Sequence, residues 1–123
     1  MNDDIFCKII RGEIPSNTVY EDELVKCIMD ANPESPGHTL ILPKKHYSDI
    51  LSIDDEAILH INSIARNLIL KMMENLPNIS GVISVINYGV PQSVKHYHMH
   101  LIPTYNIKCG LTQEEICEIL KRA

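Results

Sequence analysis

Val94-Lys95-His96-Tyr97-His98-Met99-His100-Leu101-Ile102-Pro103 reads as a β-strand over 94–102 closed by a proline. Residues alternate along it, so His96, His98 and His100 share one face while Tyr97, Met99 and Leu101 share the other. The apolar face belongs to a core, and the opposite face presents a row of imidazoles to a pocket. Chance gives three histidines at this spacing in about one or two chains in a hundred at this composition. Geometry argues against a three-histidine zinc site unless the strand bends. At about 3.3 Å per residue the outer Cα atoms lie about 13 Å apart, too far for imidazoles of one straight strand to surround a tetrahedral ion. Two of the three can still share a metal with residues from elsewhere. Nucleophilic chemistry at phosphorus fits better, because a neutral imidazole nitrogen can attack a phosphoryl centre when its other nitrogen is held in the right tautomer. His98, with an imidazole on either side, is the natural nucleophile. Gln92, Ser93 and Lys95 can bring donors to the same mouth.

Outward from this segment, 82–86 reads as a buried strand, 87–91 as a turn, and 54–76 as a long helix. That helix has apolar residues at 57, 58, 61, 64, 65, 68, 69, 72 and 76 and either Ser52 or Asp54 as its N-cap. His60 lies off the apolar stripe and is expected in solvent. Further back, His38 to Leu42 is a strand ended by Pro43, and 32–37 is a loop by its breakers. Two short runs, 18–20 and 24–30, flank the acidic turn Glu21-Asp22-Glu23 and suggest a hairpin. A short helix is expected over 4–11, stopping at Gly12, with Ile5, Phe6, Ile9 and Ile10 at helical spacing. A last helix runs from about Thr112, which forms a capping box with Glu115, to Lys121-Arg122. Mixed elements with hairpin-like links indicate an α+β fold on an antiparallel sheet, as a single domain over 1–123.

Composition narrows the function classes. With 45% hydrophobic and 22% charged residues the chain is expected to fold as a globule. No stretch is apolar enough to span a bilayer, and the opening Met1-Asn2-Asp3-Asp4 is unlike a signal peptide, so a cytoplasmic address is expected and a membrane partner is not. A net charge of −5 offers no basic field for a duplex, which argues against nucleic acid but leaves room for a small phosphorylated ligand. Four cysteines without secretory context are read as reduced thiols, with Cys27, Cys109 and Cys117 as buried small hydrophobes. His38 is read as a structural, hydrogen-bonding histidine.

The run from Gln92 to Pro103 resembles the signature of the histidine triad family, His-φ-His-φ-His-φ-φ with φ apolar. The resemblance extends over nearly the whole chain. Ile5 to Ser16 is similar to the family's N-terminal segment, Val19 to Glu23 to its first hairpin, and Pro36-Gly37-His38 through Pro43-Lys44-Lys45-His46 to its next strand. The branch it most resembles is that of nucleoside phosphoramidases and nucleotide hydrolases.

The resemblance implies a five-stranded antiparallel sheet with one long central helix, a short N-terminal helix and a C-terminal helix, and two such sheets joined in a homodimer. It implies a substrate built on a purine nucleoside monophosphate, as a phosphoramidate or anhydride derivative. His98 would attack the α-phosphorus to give a nucleotidyl-histidine that water hydrolyses, with no cofactor required. His100 and Ser93 match positions that contact the phosphate or leaving group, and His96 matches one that helps fix the nucleophile. Asp30 matches a ribose-binding carboxylate. Ile5, Phe6, Ile9 and Ile28 match the walls around the base, and Asn87, with Gln92, a polar phosphate end.

Two departures from the pattern stand out. The stretch Asn87-Tyr88-Gly89-Val90-Pro91-Gln92 is two residues shorter than the family's loop and carries proline where glycine is expected, so one backbone donor is missing. Zinc-binding bacterial relatives carry Cys-x-x-Cys near the start, whereas Asp4 stands at the first position here. Cys7, His46 and His96 match the remaining ligands, and an Asp4 oxygen would complete a structural zinc site unless the site is lost. Besides hydrolysis of phosphoramidates, the residues leave open a nucleotide-binding protein with little turnover, a dinucleoside polyphosphate hydrolase, and a structural zinc module.

Overall fold

Positions 61, 64, 65, 68 and 72 are all buried along one side of the longest helix, as their helical spacing requires. The structure is a computed structural model and describes residues 3–123. Its elements are α1 (Ile5–Ile10), β1 (Thr18–Glu21), β2 (Val25–Met29), β3 (Thr39–Pro43), α2 (Asp55–Asn75), β4 (Ile79–Val85), β5 (Met99–Tyr105) and α3 (Gln113–Arg122). Asp54 is the N-cap of α2, accepting the Ala57 N–H at 2.9 Å. Thr112 and Glu115 form the capping box of α3. No helix among the described residues is long and apolar enough to cross a membrane.

The five strands form one antiparallel sheet in the order β1-β2-β3-β5-β4. Alternation sorts their side chains onto two buried faces. Val25, Cys27, Met29, Ile41, Met99 and Leu101 pack with α2 and α3 residues such as Ile64, Leu68, Ile116 and Leu120. On the other face, Ile28, Leu40 and Leu42 pack with Phe6 and Ile9 of α1. A six-residue helix is too short to persist alone, so α1 depends on these contacts and on Asp4, which caps it by accepting the Cys7 N–H at 2.7 Å.

The structure corrects three expectations. The triad strand is paired over 99–105, not 94–102, and it runs through Pro103. Pairing with β3 stops at Ile41–Met99, because Pro43 has no N–H to offer and the Tyr97 N–H goes instead to the Tyr47 carbonyl, at 2.6 Å. Pro103 is tolerated because its carbonyl, accepting from the Ser35 hydroxyl at 2.6 Å, faces the side that β3 has left, where no ladder N–H is needed. Secondly, β4 is longer than 82–86 and half-exposed rather than buried, because it is the sheet's edge, with Ile83 in the open. Thirdly, His60 is not in free solvent. Its Nε2 lies 2.7 Å from Oδ2 of Asp22, tying α2 to the β1–β2 turn. Asp22 also accepts the Leu24 and Val25 N–H groups and the Tyr20 hydroxyl. Although burial opposes its ionisation, these bonds hold the carboxyl down to about 2.

Candidate active site

The α1 face of the sheet opens into a cleft of about 710 Å³. Ile5, Phe6 and Ile9 of α1 and Ile28 and Leu40 of the sheet give it an apolar wall, while Asp30, Ser93, His98 and His100 bring polar groups to it. These include every residue the resemblance puts around the base, the carboxylate it assigns to the ribose and two of the three triad histidines. The remaining expected residues lie elsewhere. His96 is fully buried behind the cleft. Gln92 is buried too, and its Nε2 donates to the Ser48 and Val94 carbonyls at 2.7 and 3.0 Å, so the amide supports its own loop instead of offering donors to the cleft. Asn87 does not line the cleft. Lys95 is likewise spent on the loop, donating to the Gly89 and Gln92 carbonyls.

Backbone carbonyls set the imidazole tautomers. A carbonyl only accepts, so the 2.7 Å contact between His98 Nδ1 and the His96 carbonyl places the proton on Nδ1 and leaves the lone pair on Nε2. The 2.9 Å contact of His96 Nε2 with the Pro43 carbonyl fixes the opposite tautomer there, with the lone pair on Nδ1. His38, read from sequence as structural, is part of the same chemistry. Its Nδ1 accepts the Glu34 N–H at 3.1 Å, so its Nε2 carries the proton and donates to His100 Nδ1 at 3.0 Å. His100 is thereby left with Nε2–H as a donor. Only the register Leu40–His100 brings these two rings together, and no spacing in the sequence announces it.

Burial lowers the pKa of His98, and neighbouring His100 and His96 add to the effect against the opposing His96 carbonyl bond. Burial likewise lowers His38, His96 and His100. His98 is stacked edge-on against Phe6 and against His100, each with ring centroids 4.9 Å apart, which limits its rotation.

Two groups of side chains have metal-like spacing. Asp30, His38 and His100 form one, but His38 Nε2 is already a donor, 3.0 Å from His100 and 3.5 Å from Asp30 Oδ2, so this group reads as a hydrogen-bonded chain. The other comprises Asp4, Cys7, His46 and His96, whose ligand atoms all lie within 4.8 Å of one another. Cys7 Sγ is 3.4 Å from His96 Nδ1, and Asp4 Oδ2 is 3.4 Å from His96 Nδ1 and 3.1 Å from His46 Nε2. Bonds of about 2.0–2.3 Å to tetrahedral zinc imply ligand separations of roughly 3.3–3.8 Å. The donor set is of the kind zinc takes and the three short separations lie near that range, while His46 Nε2 also lies 2.9 Å from the Lys95 carbonyl, a contact that zinc binding would replace. Burial, aided by Asp4, raises the Cys7 thiol.

The HIT domain family model matches residues 11–107, and the chain belongs to the histidine triad (HIT) family. An uncharacterized HIT-like protein of Methanocaldococcus jannaschii is 42% identical over 126 residues, covering 95% of each chain. The adenosine 5′-monophosphoramidase HNT1 of Saccharomyces cerevisiae is 37% identical, covering 87% of this chain and 66% of the yeast protein. The adenylylsulfatase HINT3 of Arabidopsis thaliana is 34% identical, covering 94% of this chain and 59% of the plant protein. The solved structure of a zinc-bound histidine triad family protein from Mycobacterium smegmatis superposes with a TM-score of 0.87 at 29% identity, covering 96% of this chain and 90% of that one.

The hydrogen-bond pattern predicts four tautomers. Long-range proton–nitrogen spectra at a pH where the rings are neutral should show Nδ1–H for His98 and Nε2–H for His38, His96 and His100. An Nε2–H signal for His98 would contradict the arrangement.

Proposed function

We propose that the chain is a nucleotide hydrolase that cleaves purine nucleoside phosphoramidates or related nucleotidyl compounds at the α-phosphorus, as one domain over 1–123. The observation that carries this reading is the fixed tautomer of His98, whose free Nε2 belongs to a residue lining the cleft. Relatives named as an adenosine 5′-monophosphoramidase and an adenylylsulfatase support it, since their names share the adenylyl group and differ in what is attached to it.

In the first step the His98 Nε2 lone pair forms a bond to phosphorus. The bond from phosphorus to the leaving group breaks, and its electron pair departs with the leaving atom, which takes up a proton from solvent. In the second step water attacks phosphorus, the phosphorus–nitrogen bond breaks, a proton goes to solvent, and Nε2 regains its lone pair. His100 Nε2–H and the Ser93 hydroxyl serve the phosphoryl oxygens or the leaving group. Asp30 can accept both ribose hydroxyls. The apolar wall of Ile5, Phe6, Ile9 and Ile28 suits a purine face.

His98→Ala should abolish both turnover and the acid-labile nucleotidyl adduct caught in single-turnover labelling. His100→Ala and Ser93→Ala should slow turnover roughly a hundredfold or more while leaving some adduct. Near wild-type turnover in His98→Ala, or inversion at a chiral phosphorus, would reject the mechanism. Binding without turnover would leave a nucleotide-binding protein, a reading favoured by the missing donor at Pro91 and the withdrawn Gln92 amide.

Asp4, Cys7, His46 and His96 would hold one zinc, which would supply a cross-link between α1, the end of β3 and the triad segment. Elemental analysis of protein purified without chelator should find close to one zinc per chain, lost in Cys7→Ala. Protein with no zinc and unchanged melting after chelation would end this reading.

The open edge of β4, with Ile83 about half exposed, is where a second copy would extend the sheet into a homodimer. Light scattering should give twice the chain mass at micromolar concentration, and a monomer would refute it.

A further inference from the structure

Gln113 is the first residue of α3 and belongs to no motif of the triad. Its half-buried amide makes three hydrogen bonds. Oε1 accepts the Gly37 N–H at 2.5 Å, and Nε2 donates to the Asp30 carbonyl at 3.0 Å and the His38 carbonyl at 3.1 Å. The donors and acceptors of the amide are thus matched to two separate backbone segments, one leaving β2 at Asp30 and one entering β3 at Gly37-His38. Those segments also touch directly, through the Asp30 N–H to the His38 carbonyl at 2.9 Å and through His38 Nε2 to Asp30 Oδ2 at 3.5 Å. Asp30 lies one residue beyond the last paired residue of β2, Met29, and its Oδ1 accepts the Asn32 N–H at 2.8 Å. Gln113 also lines the cleft beside Asp30.

The alternative, that Gln113 only fastens α3 to the sheet, is weakened by redundancy. Ile116, Cys117 and Leu120 of α3 are buried in the main core, and the capping box starts the helix without Gln113. The turn it meets is held independently, by Ser35 on the Pro103 carbonyl and by the Tyr105 hydroxyl on the Pro36 carbonyl. What only Gln113 supplies is a side-chain bridge between the Asp30 and His38 backbones.

We propose that Gln113 is a positioning residue for nucleoside recognition, holding Asp30 at the angle and depth at which its carboxylate meets the ribose hydroxyls. The proposal rests on the nucleotide reading of the cleft. Without the bridge only the Asp30 N–H bond to the His38 carbonyl and the longer His38–Asp30 side-chain contact tie the end of β2 to the turn, and a displacement of a few tenths of an ångström is enough to spoil a two-hydroxyl contact whose strength depends on geometry.

The test compares a ribonucleotide with its 2′,3′-dideoxy counterpart, using adenosine 5′-monophosphate for binding and adenosine 5′-phosphoramidate for kcat/KM. In the wild type, loss of both hydroxyls should weaken binding on the order of thirtyfold, since hydrogen bonds to a charged acceptor are strong. Gln113→Met keeps the side-chain length and removes all three bonds, and Gln113→Glu keeps only the acceptor for Gly37. Both should reduce the ribose preference to about threefold or less, mainly through KM, with little change for the dideoxy compounds. Equal losses for both sugars, with the preference intact, would assign Gln113 a merely structural role and overturn the proposal. The nucleotide reading fails separately: a wild type without ribose preference, or an Asp30→Ala variant that retains it, would show that Asp30 does not read the sugar.

Discussion

One extended run of chain, 96–101, has to satisfy two buried faces at once. Tyr97, Met99 and Leu101 enter the core beneath α2 and α3, while His96, His98 and His100 turn toward α1. A slip of one residue would exchange the sets, taking large apolar side chains out of the core they fill and burying imidazoles among aliphatic groups without partners. The placement of the three imidazoles therefore inherits the stability of the main core. Ladder hydrogen bonds contribute little at its first half, because pairing begins only at Met99. Side-chain alternation persists where backbone pairing has ended, and the vacated backbone groups become available to imidazoles.

Neutral acceptors suit this use. A carboxylate placed against His98 Nδ1 would also orient the ring, but it would favour the protonated form and so consume the lone pair that the proposed attack uses. The His96 carbonyl orients the ring with far less charge, and burial prevails in keeping the imidazole neutral. The same economy operates at His96, where Pro43 both ends the ladder toward β5 and leaves its own carbonyl free for Nε2–H. His38 transmits a third backbone constraint, from the Glu34 N–H, through its own ring to His100. Four tautomers are thus determined by three backbone groups and one inter-ring bond.

What the sequence made legible were features with a local period or a local cap: the stripe of α2, the Thr112–Glu115 capping box and the alternation of the triad. The α1 wall and Asp30 were expected from the resemblance, and the structure brings them to one cleft. Features set by distant partners were not legible. Val82-Ile83-Ser84-Val85-Ile86 carries enough β-branched residues to read as a buried strand, yet the half-exposure of β4 follows from its being last in the sheet order. His60 lies off the apolar stripe and stands free in a helical projection, but the β1–β2 turn brings Asp22 across from it. Gln92 sits beside the triad, but the carbonyl of Ser48 claims its amide first. Gln113 shows the extreme of this limit, because its partners lie more than seventy residues away.

Asp4 shows how one substitution can alter two levels of the structure without altering the charge available to a metal. An aspartate and a thiolate each bring one negative charge, so Asp4 with Cys7 can balance a divalent cation as two cysteines would. The carboxylate has a second oxygen, however, and Oδ1 accepts the Cys7 N–H while Oδ2 faces His46 and His96. Sulfur is a weaker acceptor for a helix cap. A six-residue helix that carries Phe6 and Ile9 into the cleft wall thus has a cap requiring no metal. Burial opposes ionisation of Asp4, but the Cys7 N–H and the neighbouring His96 still hold its carboxyl below the usual range, which keeps the cap charged at neutral pH. The wall of the candidate nucleoside pocket and the candidate zinc site are coupled through this one side chain.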